Sequence, residues 1–98
     1  GRGAVGSSYN YAAPIYHRML AAFARGDLTA ARAEQFCAVR LIKLLADFGY
    51  LAASKAVMDA LGVTVGPPRL PIAPLSPTRR KELLGALESQ GLLPLIYE

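Results

Sequence analysis

The chain holds a single cysteine, Cys37, so it can form neither an internal disulfide nor a multi-cysteine metal site. That usage suits a reducing compartment, and the cytoplasm is the expected location. Every apolar stretch is interrupted by charge or proline before membrane-spanning length, so no membrane partner is expected. The opening residues carry no signal-peptide pattern. Clustered charge is also scarce. The net charge of +4 comes from scattered basic residues, and only Arg79-Arg80-Lys81 makes a run. No basic face interleaved with aromatics accompanies it. The run reads as a solvated helix face, and no nucleic-acid partner is expected. Strands are the last scarcity: one segment reads as β, and no second one does.

What is present is largely apolar. At 53% hydrophobic, 98 residues supply a core for one domain at most and argue against disorder. Gly3-Ala-Val-Gly-Ser-Ser-Tyr-Asn10 reads as a short strand entering a Gly-Ser-Ser turn. A lone strand needs neighbours for its backbone groups, so this opening is expected to pair with chain outside the segment. A first helix is expected from Ala12 to Arg25, with Pro14 in its first turn. Ile15, Met19 and Phe23 form its apolar stripe, widened by Leu20 and Ala22. Gly26 stops it and Asp27 caps the next helix. That second helix, Leu28 to Phe48, is apolar on more than one face, which implies packing on two sides. A third runs from Leu51 to Leu61, between Gly49 and Gly62. Prolines 67, 68, 71, 74 and 77 forbid regular structure between residues 63 and 77. Leu70, Ile72 and Leu75 are expected to pin that stretch to a surface. Ser76 and Pro77 open a last helix to Gln90, and Leu92-Leu93-Pro94-Leu95-Ile96 should dock as a tail.

These segments resemble, in order, the pyruvate-dependent class I aldolases of the N-acetylneuraminate lyase and dihydrodipicolinate synthase family. Gly3-Ala-Val-Gly-Ser-Ser-Tyr-Asn10 is similar to the family's eighth strand. Phe23-Ala-Arg-Gly-Asp-Leu28 resembles its helix junction. Ser54-Lys-Ala-Val-Met58 and Gly66-Pro-Pro-Arg-Leu-Pro71 match the approach to its final helix. Gly6-Ser-Ser-Tyr-Asn10 is nearer to the Gly-Ser-Thr-Tyr-Asn of the sialate lyases than to dihydrodipicolinate synthases, with Ser8 in place of threonine. Gln35-Phe-Cys37 points the same way.

The resemblance implies a mostly α chain holding the last strand and helix of a (β/α)8 TIM barrel (residues 1–26) and a C-terminal helical extension (27–98). Barrel sites lie at the C-terminal ends of the strands. The family match puts Gly6 and Ser7 there as substrate-binding residues, the serine hydroxyl able to donate and accept toward a polyol. The implied substrates are sialic acid and pyruvate. The implied partners are the remaining barrel segment and sister subunits of a homo-oligomer. The family needs no cofactor or metal, and none is expected. Its Schiff-base lysine belongs to the sixth strand, so no catalytic residue is assigned to this chain, and alone it is expected to be inert.

Other side chains read as structural. Lys43 and Lys55 lie on helices where snorkelling or ion pairing is ordinary, not in a desolvated amine pocket. His17 has no carboxylate at i±3 or i±4. Cys37, among Phe36, Ala38 and Val39, reads as a buried inert thiol. Tyr9 and Tyr11 are expected to pack the start of the first helix, and Arg69 to tether the proline-rich stretch to a barrel carboxylate. Two rivals stay open: another pyruvate aldolase such as dihydrodipicolinate synthase, or an independent helical interaction module, which would have no use for the opening strand. A further reading has a separately encoded upstream fragment completing the barrel.

Overall fold

The first described residues hold no paired backbone. In the computed structural model, which describes residues 1–96, residues 1–6 form no regular element and Ser7-Ser8 make a turn. The expected strand is not formed, and the described residues contain no β-structure. A strand exists only with a hydrogen-bonded neighbour, and no described segment pairs with this one. Val5 is left fully exposed. The described chain is otherwise helical: α1 (Tyr9–Ala24), α2 (Leu28–Asp47), α3 (Tyr50–Ala60), α4 (Pro77–Ser89) and the short α5 (Leu93–Ile96).

α1 begins three residues before the expected Ala12. Ala12 itself departs from helical angles (φ −113°, ψ 17°), two residues ahead of Pro14. Pro14 has no N–H for the Asn10 carbonyl, and its ring crowds that carbonyl, so the helix kinks. Ahead of the kink, the amides of Tyr9, Asn10 and Tyr11 donate to the carbonyls of Gly6, Ser7 and Ser8 at 3.3 Å. Helical periodicity starts at the proline and misses this extra turn.

The later boundaries follow local chemistry. Asp27 accepts from the Ala30 amide at 3.0 Å and Ser76 from the Arg79 amide at 3.1 Å, capping α2 and α4 as expected. At the end of α4, Gly91 takes φ 68°. Its amide donates to Glu88 and that of Leu92 to Leu87, at 3.0 and 2.9 Å. This left-handed closure drops Leu92 back onto Leu87, and both are wholly buried.

One core joins the helices. Ile15 of α1, Leu41 and Leu45 of α2, Val57 of α3, Leu83 and Leu87 of α4, and Leu92 are fully buried in it. α1 packs chiefly along α2 and also meets α5, so the tail docks. Positions 97 and 98 of the expected extension, and the side chains of the tail residues 95 and 96, lie outside the described ones.

Several expectations about faces need correcting. In α1, Ile15 and Ala22 are buried but Leu20 and Phe23 face out, because the kink and the α2 contact select the Tyr11–Ile15–Ala22 face. In α2 the described residues pack one side, and Phe36, Val39 and Ile42 are exposed within this chain. In the proline-rich stretch Leu75 reaches the core and Pro68 is buried, whereas Leu70 and Ile72 point away. Cys37 is half-buried against the core rather than enclosed.

The arginine run is not simply solvated. Arg79 lies over the Phe48 ring at 4.1 Å and pairs with Glu82 at 2.7 Å, while Arg80 pairs with Asp59. Arg69 is exposed and meets no carboxylate among the described residues.

Truncation separates the anchors from the bystanders. Leu87→Ala should lower the unfolding free energy by about 2–5 kcal/mol. Leu70→Ala should leave it within about 0.5 kcal/mol. Denaturant titration of the two variants checks this, and equal losses would refute the assigned core.

Candidate functional site

The opening turn is tied to the rest of the chain by hydroxyl groups. Tyr11 is the first core residue of α1, 4% exposed, and its ring carries a polar oxygen inward. Such an oxygen must find a partner. Tyr50 opens α3 immediately after Gly49, and Ser54 lies one turn further on the same face. Tyr11 Oη donates to Tyr50 Oη at 3.2 Å and lies 2.8 Å from Ser54 Oγ. Tyr50 Oη in turn lies 2.8 Å from Ser7 Oγ. Four hydroxyls thus form a row from a buried serine to an exposed one.

A second link runs alongside. Ser8, itself buried, has its Oγ 2.9 Å from Tyr16 Oη. The Tyr16 ring meets that of Tyr9 edge to face, with centroids 4.7 Å apart. A Cβ on Gly6 would stand 3.0 Å from Cζ of Tyr9, so this ring accounts for a small residue at position 6. Asn10 closes the turn, its Nδ2 donating to the Ser7 carbonyl at 3.1 Å.

The structure therefore brings Ser7 together with Tyr50, Tyr11 and Ser54, and sets Gly6 beside Tyr9. Tyr11 packs the start of α1 as expected. The sequence reading overlooked Tyr50 and the hydroxyl of Ser54. Their signal was the i, i+4 spacing of two hydroxyl residues on an otherwise alanine-rich helix. Lys43 and His17 are exposed. Lys55 lines a hollow of about 280 Å³ with Asp59, Thr64, Pro68, Leu75 and Arg80, apart from the hydroxyl row. There the Arg80 guanidinium, with help from Thr64, holds the Asp59 carboxyl below its usual range. Among the described residues no cluster of histidine, cysteine and carboxylate could hold a metal ion. No described helix is long and apolar enough to cross a membrane.

Residues 1–90 match the family described as the dihydrodipicolinate synthetase family. The chain belongs to that family. It is 43% identical over 72 residues to the N-acetylneuraminate lyase of Sus scrofa, covering 71% of this chain and 23% of that protein. To the N-acetylneuraminate lyase of Danio rerio it is 36% identical over 94 residues, 92% of this chain and 31% of that one. A 4-hydroxy-tetrahydrodipicolinate synthase of Lacticaseibacillus casei is 36% identical over 100 residues, covering 94% and 33%. The Proteus mirabilis N-acetylneuraminate lyase structure superposes with a TM-score of 0.83 at 34% identity, covering 92% of this chain and 30% of that one. The sialic acid aldolase of Aliivibrio salmonicida gives 0.82 at 37% identity, with the same coverage. The chain spans less than a third of the lyases it matches.

The row has a pH signature. Burial is the main cause that raises the Tyr11 phenol well above its ordinary 10.0; the Ser54 contact opposes it and the bond to Tyr50 adds to it. Burial also raises Tyr50, but the hydroxyls of Ser7, Tyr11, Ser54 and Ser8, which can turn to donate once that phenol ionises, outweigh it and leave the phenol lowered. An acid with a raised folded pKa binds its proton more tightly folded than unfolded. Its stabilisation is complete below the unfolded value and is lost as pH rises past it. The lowered Tyr50 acts oppositely, adding stability as pH climbs toward that value. Denaturant titrations from pH 9 to 12 should show stability falling above about 10. Tyr11→Phe should flatten that fall; an unchanged slope would contradict the burial of the phenol.

Proposed function

We propose that this chain is the C-terminal part of an N-acetylneuraminate-lyase-like aldolase, supplying the eighth strand and helix of a (β/α)8 barrel (residues 1–26) and a helical extension (27–98). The observation that carries the reading is the superposition on the Proteus mirabilis lyase: nearly all of this chain is used, yet under a third of that enzyme. The surface agrees. Val5, Leu20, Phe23 and Phe36 are apolar and exposed, as expected of residues that neighbouring chain would cover. Val5 and its neighbours would pair as a strand once adjacent strands are supplied. The Phe36–Val39 side of α2 would face a sister subunit.

In this reading a lysine upstream of the segment condenses with the pyruvate-derived carbonyl, releasing water. The resulting iminium accepts the electron pair when the C–C bond breaks and the neighbouring hydroxyl gives up its proton, releasing N-acetylmannosamine; protonation of the enamine and hydrolysis of the imine by water then free pyruvate and the lysine. Ser7 lies at the end of the barrel strand, where such sites form, and offers its hydroxyl to the sugar part of the substrate. Gly6 keeps the backbone there slim. No metal or organic cofactor enters the chemistry. Dihydrodipicolinate synthase chemistry is the runner-up, sharing the iminium but joining pyruvate to a different aldehyde.

Pyruvate trapping tests the reading. Full-length protein incubated with pyruvate and reduced with borohydride should gain the mass of one reduced pyruvate adduct per chain. Residues 1–98 alone should gain none. A stable adduct on the 98-residue segment would move the reacting lysine into it and overturn the assignment.

A further inference from the structure

We propose that Tyr11 is a positioning residue: accepting a hydrogen bond from Ser54 and donating one to Tyr50, it polarises the hydroxyl row outward so that Ser7 meets its ligand as a hydrogen-bond donor. The proposal deepens the reading of Ser7 as a substrate contact and rests on it.

The argument is a count of protons. Each hydroxyl has one to give and two lone pairs to accept with. Tyr11 donates to Tyr50 at 3.2 Å, so its proton is committed. The 2.8 Å contact between Tyr11 and Ser54 must then be donated by Ser54. Tyr50 accepts from Tyr11 and keeps its own proton for the 2.8 Å contact with Ser7. A phenol is a stronger acid than an aliphatic alcohol, so donation from tyrosine to serine is the favoured sense. Ser7 accepts, and its proton is left for whatever sits outside.

The direction is protected at its inner end. Tyr11 is 4% and Ser54 8% exposed, so water does not compete there, while Ser7 is exposed. Successive hydroxyl bonds of one sense polarise and strengthen one another. A ligand that presents an acceptor oxygen, such as a carboxylate, carbonyl or sugar hydroxyl, is the class such a donor selects.

Steady-state cleavage of N-acetylneuraminate by the full-length enzyme tests this. Ser7→Ala and Tyr11→Phe should each raise KM about three- to tenfold, with kcat within about twofold. The double variant should be no worse than Ser7→Ala, because Tyr11 acts through Ser7. If Ser7→Ala raises KM but Tyr11→Phe does not, or if the two effects add, the proposal is overturned and the reading of Ser7 stands. If Ser7→Ala leaves KM unchanged, both fall. Should Tyr11→Phe fail to fold, Ser54→Ala takes its place. A KM increase abolished in the Ser7→Ala background and restored to wild type by Ser54→Thr supports the proposal, and an unchanged KM overturns it.

Discussion

The buried phenol of Tyr11 is the constraint on which the arrangement of the opening turn, α1 and α3 depends. Its ring belongs to the core, but its oxygen cannot remain there without a partner, since a buried hydroxyl left unsatisfied costs about 1–3 kcal/mol. Ser54 and Tyr50 meet that demand only if α3 begins immediately after Gly49 and turns one face toward α1. Once Tyr50 is so placed, its hydroxyl reaches Ser7, and an exposed residue acquires a fixed neighbour 43 positions away. Hydrophobic burial brings the helices together; the phenol decides how they are turned.

Local chemistry was legible in the sequence because its causes lie within a few residues. Asp27, Ser76 with Pro77, and the glycines ending helices specify their boundaries without reference to the rest of the chain. The choice of buried face was less legible. Leu20 and Phe23 share the apolar pattern of α1 with Ile15, and only the approach of α2 decides which of them is covered. Leu70 and Ile72 posed the same ambiguity within the proline-rich stretch. The opening strand failed for a different reason: its sequence is strand-like, but strand structure is a property of two segments, and the partner is not in the described chain. Resemblance singled out Gly6 and Ser7 as expected substrate contacts; the link from Ser7 to Tyr50 was not legible, because it follows from a tertiary contact with Tyr11.

The basic residues illustrate how composition misleads. Scattered arginines suggest a solvated surface, yet several join elements. Arg18 reaches Glu34 at 3.0 Å between α1 and α2, and Arg40 donates to the Gln90 carbonyl at 2.9 Å, from α2 to the end of α4. Arg80 joins α4 to α3 through Asp59, and Arg79 covers Phe48. Partly exposed pairs of this kind contribute roughly 0–1 kcal/mol each, well below a buried leucine. Their effect is on orientation.

The same comparison of magnitudes explains why Ser7 needs α3. Its own turn is closed by backbone bonds of 3.3 Å, by the Ala12 amide donating to Ser8 at 2.8 Å and by Asn10 Nδ2 donating to the Ser7 carbonyl at 3.1 Å, none of which holds the Ser7 hydroxyl. A turn held only in this way, preceded by residues without regular structure, would leave the Ser7 hydroxyl free to rotate and shift. The 2.8 Å contact with Tyr50 acts on the hydroxyl itself, comes from a helix whose other end is packed in the core, and is backed by a buried serine. The restraint on the hydroxyl therefore comes from α3, while the turn's own bonds hold its backbone. On the barrel reading this gives the extension a role beyond covering apolar surface: it sets the donor direction of a residue on the eighth strand. A site so built would respond to changes in α3 that touch no substrate.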